Sequence, residues 1–496
     1  MKNILVSVLT ILSLLTVSCN NNDPVTQEPN VALNSEVNDF VWKAMNHWYF
    51  WQADVPRLAD TQDDDIDEFH TYLNGFSSSE SLFNSLKFSA DDFSWYIDDV
   101  EDRLNSLRGI SESYGIGLPS NLVRVHQGSD DIVIFVAYIV PDSPADLAGL
   151  ERGDLIYKVN GSVLNTSNAS LINKIFTDIN ISIGVATFEN GSLNPKGSDR
   201  SLTAVPLAID PVHYSEVIEE AGKKIGYLVY NRFTYTYHSE LNDVFTEFKN
   251  QGVDELVLDL RYNPGGVVLT SAYLSSMIEG NIANGNRFAS LTYNAKRNPT
   301  NETLYFFRDQ ATVFDKQTGD PTNNINMSRL TNLDRVYVLT SRSTASASEM
   351  IINGLRPTMD VIVVGTTTVG KNEGSFTVVD APGNEDNIFT DSENRNPNHT
   401  VGLQPIVFQI FNSLGQSDYA DGFEANIAVD ELEFTANILP FGDADEPLLR
   451  AALNNITNTT KFIQKPLNKV DLLSKVKRKK FDNELYIIPE KEKLAK

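Results

Sequence analysis

Four apolar runs in the middle of this sequence constrain its fold more than any other feature. They are "KIGYLVYNRF", "DELVLDLRYNPGG", "RVYVLTS" and "VIVVGTTT", each the length of a strand. Stretches with helical spacing, "ELNDVFTEFKNQG" and "SEMIINGL", lie between them. Buried strands alternating with helices predict an α/β layer, with helices packed on a sheet. Residues 280–330 are polar and irregular and read as a long insertion. No internal repeat is visible.

At 496 residues the chain is long enough for several domains. Residues 34–107 hold "VNDFVWKAMNHWYFWQADVP", whose apolar and aromatic residues fall near helical spacing, and all four tryptophans (Trp42, Trp48, Trp51, Trp95). This region reads as a small helical N-terminal domain, its aromatics as core. From 108 to 208 the pattern changes to short apolar runs with glycine turns, "SYGIGL", "DIVIFVAYIV" and "DLIYKVNG", which predict a small β-rich module. The α/β core then occupies 209–440, and 441–496 form a C-terminal segment.

A net charge of -26 argues against a nucleic-acid partner, since phosphate binding needs a basic face. The charge is uneven. Residues 461–496 carry 11 Lys/Arg against 5 Asp/Glu, net +6, and include "KVKRKK". Such a tail reads first as a solvated, partly disordered end and second as a contact for anionic lipid headgroups. At the other end, "MKNILVSVLTILSLLTVSC" has an early lysine and an apolar run too short to span a bilayer, so residues 1–18 read as a signal peptide. Cys19 is the only cysteine, which excludes a disulfide within the chain. A lone cysteine directly after such a run resembles a bacterial lipoprotein processing site, although Thr16 stands where that pattern prefers leucine and Leu15 is one place off. The resemblance implies lipidation at Cys19, a flexible tether through residue 33, and a location at the cell envelope, periplasmic or surface-facing.

Chemistry is concentrated where three of the strands end. In "LVLDLRYNPGG", Gly265 and Gly266 let backbone N–H groups face a ligand without a Cβ in the way, which suits an oxyanion donor; Pro-Gly-Gly is also a simple turn. "STASASE" (343–349) follows the strand "RVYVLTS" and begins a helix, where a nucleophile gains from free N–H groups and positive potential. Ser346 and Glu349 equally fit a capping box that needs no catalysis. "VIVVGTTTVGK" ends in Lys371. A serine hydroxyl needs a base, and a lysine serves as one only when burial keeps it neutral. The six histidines offer no convincing alternative, His238 in "TYTYHSEL" being the best placed. They show no HExxH spacing and Cys19 is otherwise accounted for, so no zinc site is expected, and without a GxxxxGK(S/T) phosphate loop no nucleotide cofactor is expected either.

Together the three stretches resemble the tail-specific, or C-terminal processing, peptidases of family S41. "DLRYNPGG" (259–266), "TASASE" (344–349) and "TTTVGK" (366–371) stand in the family's order, and Ser346 and Lys371 are 25 residues apart, as the family has them. The resemblance implies a ClpP/crotonase-like α/β protease core within an α+β multidomain chain. It implies Ser346 as nucleophile, Lys371 as base, and an oxyanion hole from Ala347 and one of Gly265 and Gly266. Glu349 and Thr368 match supporting positions. One departure stands out: the family often has glutamine four residues after the lysine, and here that residue is Ser375.

The β module is similar to a PDZ domain through "SYGIGL" and "VPDSPADLAGLERGDLIYKVNG". Gly115, Ile116, Gly117 and Leu118 would be its carboxylate-binding loop, to which a peptide adds as a strand. The family portion runs from about 108 to 440, leaving the helical region and basic tail outside. The expected function is that of an exported, lipid-anchored serine endopeptidase using a Ser–Lys dyad on proteins recognised by their C-terminal ends. The alternative is a non-catalytic binder of peptides or small apolar ligands on the same fold.

Overall fold

The computed structural model describes residues 29–461 except 127, 190 and 384–387, the backbone of 472–475, and residues 484–489. The signal segment, Cys19 and residues 476–480 of "KVKRKK" lie outside the described residues. Among the described residues, no helix is long and apolar enough to cross a membrane.

The four apolar runs form the centre of a six-stranded sheet. Its order is Val212–Glu220, Lys223–Tyr230, Glu255–Asp259, Arg335–Thr340, Asp360–Gly365 and Ile427–Ala428. The last five strands are parallel to their neighbours, and the first is antiparallel to the second. Parallel neighbours need long crossovers, and the helices His238–Gln251, Val268–Ile278 and Ala347–Leu355 lie in them. Alternation along each strand sends successive side chains to opposite faces. Tyr227, Val257 and Tyr337 pack under the helix Pro447–Thr457, while Leu228, Leu258 and Val338 join the main core with the crossover helices.

Residues 280–330 are more ordered than their polarity predicts. Arg287–Tyr293 pairs with both Thr303–Phe306 and Ile406–Asn412, and Gln310–Phe314 forms a hairpin with Pro321–Asn326. Some polar side chains tie the stretch to its neighbours, as where Asn294 Nδ2 donates to the Tyr49 carbonyl at 2.9 Å, while the strand Pro321–Asn326 is largely exposed. Polar residues that satisfy backbone groups in neighbouring segments look like loop composition in a linear sequence.

The helices Glu36–Trp48, Ile66–Asn74 and Ser79–Ser85 share one core with the sheet layer. Trp48, for example, meets Phe376 edge-on at 4.9 Å between ring centroids. The β module has its own core, built around Leu122, Ile134, Ile156 and Ile183. It is closed by pairing of Ile110–Ser113 with Val205–Ala208. A second apolar contact, through Val123, Val133, Phe135 and Leu155, seats the module on Tyr262 and Leu432.

The "DLR" of 259–261 forms a buried ionic cluster. Arg261 is fully buried and pairs with Asp259 at 2.8 Å, Glu446 at 2.6 Å and Glu431 at 2.9 Å. Glu431 also holds Arg152 of the β module at 2.8 Å, and Arg152 donates to the Tyr262 hydroxyl at 2.8 Å. Removing one member of such a cluster leaves uncompensated buried charge. Arg261→Ala is therefore expected to cost about 3–5 kcal/mol, read as a lower urea midpoint with unchanged slope. An unchanged midpoint would show that the cluster has no net stabilising role.

Candidate active site

Three turns converge where the parallel strands end, and their backbone conformations are unusual. Ser346 is the N-cap of the helix Ala347–Leu355, and the capping box read from the sequence is present. Ordinary N-caps in this chain are extended: Ser35 has φ -145° and Ser78 has φ -153°. Ser346 has φ 58° and ψ -112°, which costs a non-glycine residue about 1–3 kcal/mol. A cap alone gives no reason for that strain. The conformation presents the side chain at a sharp strand-to-helix turn instead. Ala347 follows as the first helical residue, where an N–H has no intrahelical acceptor.

Glu349 joins the serine turn to the lysine turn. Its Oε2 accepts the backbone N–H groups of Ser346 at 2.8 Å and Lys371 at 2.9 Å. Its Oε1 accepts from Thr368 Oγ1 and from the Gly370 N–H, both at 2.6 Å. One carboxylate thus holds together residues that are far apart in sequence. Burial pushes its pKa up to about 7, opposed by those four donors. Thr368 Oγ1 in turn accepts the Phe423 N–H at 2.8 Å, which fixes the far side of the turn.

Lys371 is fully buried, with its Nζ 4.4 Å from the centroid of the Phe93 ring. Desolvation pulls its pKa down from 10.5 to about 8, against the attraction of Glu484, Glu373, Asp91 and Glu349. Ser375, the residue at the departure from the family pattern, lies in the strand Glu373–Ser375. Its Oγ accepts from Gln404 Nε2 at 3.0 Å, and Gln404 is fully buried in the strand Gly402–Gln404. A glutamine is therefore supplied to this strand from another segment.

The glycine turn packs directly on Ser346. A Cβ added at Gly265, where φ is 112°, would lie 2.7 Å from Ser346 Cβ. The Gly265 N–H donates to Asn263 Oδ1 at 2.9 Å, so it is already taken. Phe233 bonds the Gly265 carbonyl and the Val267 N–H, so the N–H of Gly266 faces the opposite side of the strand. Of the two glycines, Gly266 is the one whose donor is directed away from these contacts. Gly265→Ala is expected to misplace Ser346 and to lower turnover by about tenfold or more. Rates measured beside the thermal midpoint check this, and unchanged turnover would show that the turn tolerates a side chain.

The β module touches both turns. Ser120 Oγ lies 2.5 Å from Ser343 Oγ, and Arg152 reaches Tyr262 beside the glycines. The Gly115–Leu118 stretch is tied down on one side: Gly115 and Gly117 carbonyls accept from Val140 and Ala137 at 2.8 and 2.9 Å. His238 is a buried structural residue, bonded to the Thr312 carbonyl and Thr270 Oγ1. Burial takes its pKa down to about 4.

Four residues beside Lys371 and Ser375 carry no motif. Phe93 and Asp91 come from the end of the helical region, where aromatics read as core alone. Gln404 ends the short strand Gly402–Gln404 as a polar residue between apolar neighbours, the one signal in the sequence. Glu484 comes from the C-terminal segment. This segment is not wholly a solvated end: Glu484, Leu485, Tyr486 and Ile487 are all buried.

The "Peptidase family S41" model matches residues 224–385, the "Peptidase S41 N-terminal domain" model 36–95 and a PDZ domain model 135–171. The helical region therefore has a family counterpart, contrary to its exclusion on sequence motifs alone. The chain has the S41 peptidase fold, with its N-terminal domain and a PDZ domain. A crystal structure assigned as an S41 protease from Bacteroides fragilis is similar with a TM-score of 0.63 and 27% identity, covering 85% of this chain and 97% of the other.

Among curated proteins, it is similar to carboxyl-terminal-processing peptidase 3, chloroplastic, of Arabidopsis thaliana, at 27% identity over 48% of this chain and 43% of the relative. It is also similar to the carboxyl-terminal-processing protease of a Picosynechococcus strain, at 26% identity over 52% of this chain and 55% of the relative. The chain spans about half the length of these relatives.

Proposed function

We propose that this chain is a serine endopeptidase with a Ser346–Lys371 dyad. Neutral Lys371 Nζ removes the Ser346 hydroxyl proton as Oγ attacks a peptide carbonyl, forming a tetrahedral oxyanion. The N–H groups of Ala347 and Gly266 hold that oxyanion. When the C–N bond breaks, the lysine proton passes to the leaving amine, and an acyl-serine ester remains. Water, deprotonated by the same amine, hydrolyses the ester and restores the hydroxyl. Glu349 and Thr368 position the two turns, and Ser375 with Gln404 braces the strand after the lysine.

The observation that carries this reading is Glu349, whose single Oε2 receives the N–H groups of both Ser346 and Lys371. The strained serine supports it, because a cap requires no positive φ. Substrates are proteins with free, unstructured C-termini, taken up by the PDZ domain through Gly115, Ile116, Gly117 and Leu118. The names of the curated relatives agree with this choice. Export by the N-terminal signal and lipidation at Cys19 put the enzyme at the cell envelope, on a lipid anchor.

A serine-directed phosphonate probe tests the core of the proposal. It should label the wild-type chain and fail to label Ser346→Ala, with Lys371→Ala strongly reduced. Equal labelling of all three would remove the dyad from the mechanism.

A further inference from the structure

The C-terminal segment of the chain lies along the two places where a peptide substrate would bind. Its first described strand, Leu472–Lys475, pairs antiparallel with Asn121–Arg124, the PDZ strand that follows Gly115–Leu118. Leu472 stands opposite Val123 and Lys475 opposite Asn121, so the segment runs toward the Gly115–Leu118 end of that strand. This is strand addition at a sheet edge, the mode by which an extended peptide is recognised through its main chain.

Its second described strand, Leu485–Tyr486, lies between the glycine and lysine turns. It is parallel to Gly266–Val267 on one side and to Glu373–Ser375 on the other, filling a slot one strand wide. The Ile487 N–H donates to the Ser375 carbonyl at 3.1 Å. At Gly265, the point where a Cβ would stand is 2.7 Å from both Ser346 Cβ and the Glu484 carbonyl oxygen. The Glu484 carbonyl therefore sits beside the candidate nucleophile, on the side toward which the Gly266 N–H is directed.

The slot also discriminates between side chains. Glu484 is fully enclosed and ion-paired with Arg103, from the helix Val100–Leu107. The Arg103 guanidinium lies 5.2 Å from the centre of the Tyr486 ring. An acidic residue followed by aliphatic and aromatic ones satisfies these walls, whereas a basic residue at the first position would face Arg103.

We infer that the strand Leu472–Lys475 and residues 484–487 act as an intramolecular peptide ligand that holds the enzyme in a self-inhibited state, and that the slot filled by 484–487 accepts peptides with an acidic residue at the position read by Arg103. The inference rests on the peptidase reading for what is inhibited, but not for what is bound. A substrate must displace the segment at both strands before Ser346 can reach it. The apparent affinity for substrate is the intrinsic affinity multiplied by the fraction of molecules with the slot open.

The test compares the whole chain, its Glu484→Lys variant and a chain ending at residue 461, using the initial rate of cleavage of an unfolded protein. Both altered chains should be faster than the whole chain by about tenfold or more. A synthetic peptide of residues 482–489, added in trans, should return the shortened chain to the slow rate. Equal rates in all three chains would overturn the inference, as would a shortened chain that is inactive with a lowered thermal midpoint, since the strand would then be a permanent part of the fold. Loss of the segment by cleavage after Glu484, seen as a lower intact mass, would make it a substrate and also overturn the inhibition.

Binding of the same peptide, fluorescently labelled, to the shortened chain carrying Ser346→Ala separates the two readings. Binding with no cleavage by any chain rejects the peptidase and keeps the ligand; cleavage with no binding rejects the ligand and keeps the peptidase. A peptide with lysine in place of the glutamate should bind at least about tenfold more weakly, and equal binding would remove Arg103 from recognition.

Discussion

Ser346→Ala should abolish cleavage of an unfolded protein substrate while leaving its binding intact. Removal of a nucleophile in a comparable serine peptidase site costs about a millionfold in turnover, and the residual rate comes from the oxyanion donors and binding alone. The substitution also relieves little strain, because alanine at φ 58° is as unfavourable as serine. The folded state should therefore keep its thermal midpoint within a degree or two, roughly the shift of a fraction of a kcal/mol. Full loss of turnover with normal affinity, measured by rates and by anisotropy of a labelled substrate, is the expected pair of results. Retained cleavage would assign the nucleophile elsewhere.

Lys371→Met should be nearly as damaging, because its volume suits the buried pocket against Phe93 but it accepts no proton. In the wild type the base must be neutral. With its pKa near 8, the rate should rise about tenfold per pH unit below that point and level off above it. Glu349 acts in the same direction on the acid side. Protonation below about pH 7 weakens its hold on the four donors that join the two turns. Glu484 is the largest of the attractions that hold Lys371 protonated. Displacing the C-terminal segment should therefore move the rising limb of the profile to lower pH. A flat profile from pH 5 to 9 would reject the lysine as base.

Much of the site was legible because each part lies in a short stretch around one turn. Ser346, Lys371 and the glycine pair are each open to a bland reading alone, as a cap, a surface lysine and a simple turn, and become candidates through the order and spacing of the three stretches together. Glu349 was legible as a cap but not as the bridge to Lys371, since its second role depends on where the lysine turn folds. The choice between Gly265 and Gly266 was invisible, because it depends on Asn263 and Phe233 claiming particular backbone groups. Asp259 and Arg261 were read only as part of a motif, while their burial with Glu431 and Glu446 came from residues far along the chain.

The misreadings have a common cause. Composition reports how polar a stretch is, not whether its polar groups find partners. Residues 280–330 read as irregular because their order comes from backbone strand pairing, much of it on the exposed hairpin of Gln310–Phe314 with Pro321–Asn326, which polar composition does not signal. The C-terminal segment looked solvated because lysines surround its short apolar run, "ELYII".

By itself the sequence determined the α/β layer, the order of the three turns and the residue types of the candidate site. These follow from periodicity and local backbone preference, which act over a few residues. Tertiary structure alone decided that one carboxylate joins the serine and lysine turns, that Phe93 and Gln404 complete the surroundings, and that Leu485–Tyr486 lies between the glycine and lysine turns. Those contacts join residues tens to hundreds of positions apart, and only burial of a shared core brings them within hydrogen-bonding distance.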